Sequence, residues 1–373
     1  MELGTVVIGA GPAGLAVAAA LRRRGLRCDV LERGPSVGFA WQQRYDSLHL
    51  HTIRWLSALP SARIPRRCGR WVSGDDLVEY LRTYADRFRI RPEFSVNVER
   101  LDRCNGLWRM QTSAGERDAS VVIVATGYSR VPVMPDWSGR PAFNVPMIHS
   151  AEYRSPDRYS GQRVLVVGAG NSAAEIAVEL ARSEVAVDMS VRTAPNIVRR
   201  DTFGVPSQLL GIALKNAPQR LMNPLSTVLR RLTVPNLDRF GLPAPAGEGF
   251  TQFLRTCTVP ILDHGFVREV QAGRIRIVPA VNDVAGNEVQ LADGSAIRPD
   301  AIICATGYRP GLEAMVGDLG VLDDNGTPVP HWPDGAPNAP DLYFVGITVQ
   351  LAGLLREIGR DARAVGDKVE ATA

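Results

Sequence analysis

Two clusters of glycine carry the first chemical information in this 373-residue chain. Gly9, Gly11 and Gly14 follow a short apolar run, Thr5 to Ile8, and precede a stretch of helical apolar spacing, Leu15 to Arg24. At that spacing the first glycine permits a tight turn, the second lets backbone approach a pyrophosphate, and the third lets helix pack on strand. Pro12 and Ala13 complete the turn. Glu32, at the end of the next strand with Arg33 beside it, can accept hydrogen bonds from ribose hydroxyls. Gly168 and Gly170, with Ala173 in the third position and Asn171 and Ser172 between, repeat the plan after Arg163 to Val167. In this second unit the acid is replaced by a base, because the comparable stretch ends at Val191 and Arg192. A carboxylate there would repel a 2′-phosphate, whereas a guanidinium grips it with two parallel hydrogen bonds, so NADPH is expected over NADH. Arg199 or Arg200 either assists or is a solvated loop charge.

Two dinucleotide sites on one chain imply that a hydride passes from a nicotinamide to a flavin, which carries chemistry that nicotinamide alone cannot. Onward transfer to a disulfide needs a CxxC near the flavin. Cys28, Cys68, Cys104, Cys257 and Cys304 never form one, and their odd number and wide spacing indicate neither a disulfide framework nor a zinc site. An oxidase or an oxygenase remains.

The elements that must hold these turns are two βαβ units. A second pair of segments mirrors itself: Val121 to Tyr128 and Ala301 to Tyr308 each run a buried strand into a small-residue turn, Ala125-Thr126-Gly127 and Ala305-Thr306-Gly307-Tyr308. These read as paired domain exits. A strand at Leu342 to Val345 and a helix from about Leu354 then return the tail to the first domain. The expected fold class is α/β, with two Rossmann-like dinucleotide-binding domains, the second inserted in the first. Residues 1–155 and 310–373 form the FAD domain and 156–309 the NADPH domain, with a helical insert at about 200–262. Within the insert, Ser207 to Leu232 is apolar at helical period and reads as an amphipathic cap.

Composition supports a globular protein, at 45% hydrophobic and 22% charged residues, and the net charge of +4 is spread along the chain, so nucleic acid is not an expected partner. The first strand begins almost at Met1, which leaves no room for a signal peptide, and no apolar stretch is long enough for a transmembrane span. With unpaired cysteines, a cytoplasmic location is expected. His264 and His331 lack partners at metal spacing, so no metal site is expected, and Trp55, Trp71 and Trp332 read as packing residues.

The segment Phe143-Asn144-Val145-Pro146-Met147-Ile148-His149-Ser150-Ala151-Glu152-Tyr153 resembles the FxGxxxHSxxY signature of the class B flavin-containing monooxygenases. It stands just before the second glycine turn, as in that family. The order glycine turn, signature, second glycine turn, ATGY matches throughout, and Gly168 to Glu175, Arg199 to Phe203 and Arg239 to Pro243 resemble the YUCCA-like branch. One departure is Val145, where the signature has glycine.

The resemblance implies that NADPH reduces FAD, that O2 then gives a C4a-hydroperoxyflavin, and that this oxygenates a small organic substrate while water is kept out. Nitrogen or sulfur oxidation, Baeyer-Villiger insertion and oxidative decarboxylation of a 2-oxo acid all stay open. It brings Gly38 and Trp41 into the FAD set with the first glycine turn, adds Leu48, His51, Thr52 and Val98 as cofactor-binding residues, and makes His149 and Ser150 a hinge or cofactor clamp. His51 falls where the family often has an asparagine supporting the peroxide, and a donor there would stabilise the departing oxygen. A homodimer is the family expectation. Two other functions remain in view: an NADPH oxidase or flavin reductase, and a nucleotide-binding regulator without turnover.

Overall fold

The computed structural model describes residues 4–202, 204–214, 233–243, 245, 259–329, 338–348 and 353–372. Cys257, His331, Trp332 and the 215–232 part of the expected insert lie outside the described residues. The chain divides into two compact units, one of Met1–Gln43, Leu48–Val131 and Tyr308–Ala373, the other of Arg44–Ser47 and Pro132–Gly307. Residues 132–155, grouped by sequence with the first domain, therefore fall in the second unit, as do the four residues Arg44–Ser47.

In the first unit, Thr5–Ile8 is the middle strand of a parallel sheet whose order is Leu342–Phe344, Val121–Val124, Thr5–Ile8, Cys28–Glu32, Glu93–Phe94. Its central strands are buried on both faces, which is why they read as continuous apolar runs. Side chains alternate between two cores. Val7 and Ile123 face the helices Pro12–Arg22, Gly74–Arg87 and Leu354–Thr372. Val6, Ile8, Val122 and Val124 face a three-stranded antiparallel meander, Val98–Cys104, Leu107–Thr112 and Gly115–Ala119, through Leu101, Trp108 and Met110. At about 1.5–3 kcal/mol for each fully buried Val, Ile or Leu, this two-sided packing fixes the strand ends from which the loops spring.

The second unit repeats the plan. Its parallel sheet runs Met147–His149, Ala301–Cys304, Arg163–Val167, Ala186–Ser190, Ile275–Val278. The helix Asn171–Arg182 packs against the Arg163–Val167 and Ala186–Ser190 strands. Leu165, Val167, Ile302 and Cys304 point into a core shared with a second meander, Val281–Ala285, Glu288–Leu291 and Ala296–Ile297. The expected strands at Thr5 to Ile8 and Arg163 to Val167 are observed; the first helix begins earlier than its apolar spacing suggested, at Pro12, and the second begins at Asn171. The expected helical insert opens instead with an antiparallel hairpin, Asp201–Thr202 with Val205–Pro206, before a helix, Ser207–Leu214.

Candidate functional site

In each unit the glycine turn leaves the central strand beside the strand that ends in ATGY. Gly9 and Gly168 adopt φ of +112° and +135°, and a β-carbon at either would lie 2.7 Å from the Ala125 carbonyl oxygen or 2.4 Å from that of Ala305. At Gly14 it would fall 1.8 Å from the Gly9 oxygen. These glycines are demanded by the protein's own backbone. Ala173, at the corresponding place in the second turn, is buried without such a clash.

Gly11 and Gly170 are different. Their φ values, −83° and −100°, suit any residue, and a β-carbon on either would meet nothing within 4 Å. Both are N-cap residues of helices whose first amides receive no side-chain cap, whereas Ser73 caps the neighbouring Gly74–Arg87 helix by accepting from Asp76 N at 3.1 Å. Open space over bare, dipole-aligned amides is a cradle for phosphate.

Around the first turn, Glu32 is 8% exposed and accepts from Ala10 N at 2.7 Å and Gly34 N at 2.8 Å. Its remaining lone pairs can serve a ribose hydroxyl, while Arg33 is exposed next to it. Gly38, at φ +70°, donates its amide to the Ala10 oxygen at 3.1 Å, and Trp41 packs on the core behind it. Pro12 occupies the first helical turn and Ala13 is buried within it. Ala125 donates to the Ile8 oxygen at 2.9 Å and Gly127 adopts φ +77°. Between them the Thr126 hydroxyl is buried with no hydrogen-bond partner among the described residues. An unsatisfied buried hydroxyl costs about 1–3 kcal/mol, which a bound group with a matching atom would recover. A flavin nucleotide fits this set.

Leu48, His51 and Thr52 lie on or beside the strand His49–Ile53. The Leu48 carbonyl accepts from Gly74 N at 2.8 Å, Thr52 shares a hydrogen bond of 2.7 Å with Ser57, and His51 is half-buried. Val98 is 2% exposed and belongs to the core under the meander, so its side chain is packing. Trp55, expected to pack, is 55% exposed, whereas Trp71 is half-buried with the Arg70 guanidinium 5.5 Å from its ring.

In the second unit, Asn171 spends its side-chain amide on the protein. Nδ2 donates to Pro260 O at 2.9 Å and Oδ1 accepts from Leu262 N at 2.8 Å, fastening the Ile261–Asp263 strand to the helix start. Ser172 stands half-buried in the first helical turn. Arg192 is exposed just beyond the Ala186–Ser190 strand and makes no hydrogen bond or ion pair with a described residue, so its guanidinium is available for a phosphate. Arg199 is exposed as well, at the end of Ile197–Arg199.

His149 is 1% exposed, and both ring nitrogens are engaged: Nε2 donates to Gly307 O at 3.0 Å and Nδ1 accepts from Ala151 N at 3.1 Å. Gly307 O also accepts from Val133 N at 3.0 Å, and the Thr306 hydroxyl donates to Val133 O. Ala305 donates to Val167 O at 2.8 Å, and Tyr308 follows in a short strand, Tyr308–Arg309. The ring thus clips the signature loop to the ATGY turn. Burial holds the imidazole below its usual range. Val145, the departure from the signature, packs with Phe143 and Met147 against the Leu165–Ile302 core, which accounts for a side chain at a glycine position.

Sequence reasoning passed over Tyr45 and Glu175. The buried Tyr45 donates its hydroxyl to Glu175, whose other oxygen lies 3.3 Å from His264 Nε2. Tyr45 carries no motif and Glu175 only closes the Gly168 to Glu175 stretch, so it is the fold that brings them together.

The pyridine nucleotide-disulphide oxidoreductase family matches residues 6–204. The probable indole-3-pyruvate monooxygenase YUCCA3 of Arabidopsis thaliana is 34% identical over 358 residues, covering 92% of this chain and 82% of that protein. The indole-3-pyruvate monooxygenase YUCCA1 of Oryza sativa subsp. japonica is 34% identical over 351 residues, covering 92% and 86%. Among solved structures, a flavin monooxygenase double mutant from Stenotrophomonas maltophilia superposes with a TM-score of 0.76 at 25% identity, covering 100% of this chain and 99% of that one. Cyclohexanone monooxygenase from Rhodococcus sp. Phi1, bound to NADP+, shares the fold at a TM-score of 0.72 and 20% identity, covering 99% and 84%.

Proposed function

Because this chain belongs to the flavin monooxygenase family, in its YUCCA-like branch, we propose that it oxidatively decarboxylates an arylpyruvate-like 2-oxo acid with NADPH, O2 and FAD. The substrate class rests on 34% identity across 92% of the chain to proteins named indole-3-pyruvate monooxygenases. The reaction balances: 2-oxo acid, O2, NADPH and a proton give the acid one carbon shorter, CO2, NADP+ and water. FAD, when bound, accepts the hydride and activates O2 for transfer of one oxygen atom.

The chain's own residues supply binding and orientation. The Gly9-Ala10-Gly11-Pro12-Ala13-Gly14 turn, Glu32, Gly38 and Thr126 hold the flavin nucleotide. The amides after Gly170, with Ser172 and Arg192, hold the NADPH phosphates, and Asn171 acts by fixing the Pro260–Leu262 backbone beside them. His51 offers a ring N–H where negative charge develops on oxygen. His149 holds the signature loop to the Gly307 turn.

No helix among the described residues is long and apolar enough to cross a membrane. The free Cys28, Cys68, Cys104 and Cys304 suit a reducing compartment, which supports a cytoplasmic location, and a homodimer is part of the same reading.

Substrate-dependent NADPH consumption across a panel of arylpyruvates, thioethers and cyclic ketones tests the reading. It predicts acceleration with CO2 release for arylpyruvates. Consumption that yields only peroxide, whatever the substrate, identifies an NADPH oxidase instead.

A further inference from the structure

The strap Arg44–Ser47 is the feature that the site description leaves unused. Gln43 before it and Leu48 after it belong to the first unit, yet these four residues belong to the second. They are fastened along one face of the Asn171–Arg182 helix, where Ser172, Glu175 and Glu179 align at helical spacing. Tyr45, 5% exposed, donates to Glu175 and is also hydrogen-bonded to Ser172. Burial and the Glu175 carboxylate hold its hydroxyl well above the usual range, so it stays protonated and keeps donating. Ser47 hydrogen-bonds Glu179, which also accepts from Tyr153 at 3.0 Å. Backbone contacts complete the strap: Asp46 N donates to Arg154 O at 3.0 Å, and Arg154 donates to Arg44 O at 2.7 Å. The Tyr45 and Tyr153 rings sit 6.3 Å apart.

Only Leu48, His49 and Leu50 separate Ser47 from His51, a span of at most about 14 Å. We infer that Tyr45 and Glu175 are positioning residues for oxygen transfer: they tie the chain leading to His51 onto the helix whose N-terminus receives the NADPH phosphates. The inference rests on the monooxygenase reading given above. Nucleotide bound at Gly170 orders the helix start, and the strap transmits that order to the His51 strand. An unfastened strap loosens His51, and reducing equivalents are then lost as peroxide.

Hydrogen-exchange mass spectrometry on the FAD-loaded protein tests this, following peptides within 44–53 with and without NADP+, alongside peroxide released per NADPH. Tyr45→Phe and Glu175→Ala should each raise exchange of that segment about tenfold, the loss expected for one charge-assisted hydrogen bond. The peroxide fraction should rise in both, while in Glu175→Ala, whose side chain makes no bond to Ser172, the NADP+ dissociation constant moves less than about twofold. Glu175→Gln keeps an acceptor for Tyr45 and should restore both readouts toward wild type. Unchanged exchange, raised exchange with an unchanged peroxide fraction, or a Gln variant as impaired as Ala overturns the inference. A wild-type enzyme that makes only peroxide overturns the function and this role together, whereas unchanged exchange overturns the strap alone.

Discussion

Glu32 Oε2 accepts the backbone amide of Ala10 at 2.7 Å, so the acid expected to serve a ribose also braces the glycine turn. Its other oxygen accepts from Gly34 N at 2.8 Å. One buried carboxylate therefore fixes the turn from the far end of the neighbouring strand. Glu32→Gln turns its amide NH2 toward one of these N–H donors, and should lower stability by about 1–3 kcal/mol. Flavin should be lost with it. Thermal melting and the flavin-to-protein ratio after purification check this, and a fully loaded, equally stable variant would contradict it.

The glycines divide into two classes that substitution should separate. Gly9→Ala and Gly168→Ala place a methyl 2.7 Å and 2.4 Å from carbonyl oxygens at positive φ, and should destabilise the fold by more than about 1 kcal/mol. Gly11→Ala and Gly170→Ala meet open space and should leave the melting temperature of the ligand-free protein unchanged. Gly11→Ala should instead weaken flavin binding, and Gly170→Ala should raise KM for NADPH. Melting curves paired with ligand titrations read both effects.

Arg192 stands exposed and makes no ion pair or hydrogen bond with a described residue, at the end of the second nucleotide-binding strand. Arg192→Ala removes a charge-assisted grip worth about 1.5–3 kcal/mol, so kcat/KM for NADPH should fall roughly 10- to 100-fold. The value for NADH should hardly move. The ratio of the two, measured as flavin reduction, checks the assignment.

His149 should make stability depend on pH. Its Nδ1 accepts from Ala151 N, so protonation there sets N–H against N–H, and burial holds its pKa below the unfolded value. The unfolded chain therefore binds the proton first. The contribution is whole above about pH 6.5 and is lost as pH falls through the lower folded pKa. His149→Asn should flatten that part of the stability profile between about pH 7 and 5, as measured by urea unfolding at stepped pH.

The sequence made legible what depends on neighbours along the chain. Val6 to Ile8 and Val164 to Val167 declare themselves because strands buried on both faces are apolar without interruption, and each runs straight into glycine. The meander strand Val98–Cys104 escaped notice because only Val98 and Leu101 are buried in it and its apolar period is broken by a bulge. Side-chain partners far along the chain were beyond reach. Asn171 has the right type and place to touch a phosphate, but its amide is taken by Pro260 and Leu262, 89 and 91 residues away. His149 meets Gly307 across 158 residues and Tyr45 meets Glu175 across 130, so although the signature marked His149, the partner that each residue finds had no local sign.

The most direct test of the account is turnover of an arylpyruvate under oxygen-18 gas with NADPH, with catalase present to remove the free peroxide that would decarboxylate a 2-oxo acid unaided. The account predicts one labelled oxygen atom in each molecule of shortened acid, with CO2 and NADP+ formed in equal amounts. NADPH consumption with the 2-oxo acid untouched and no label in any organic product would contradict it.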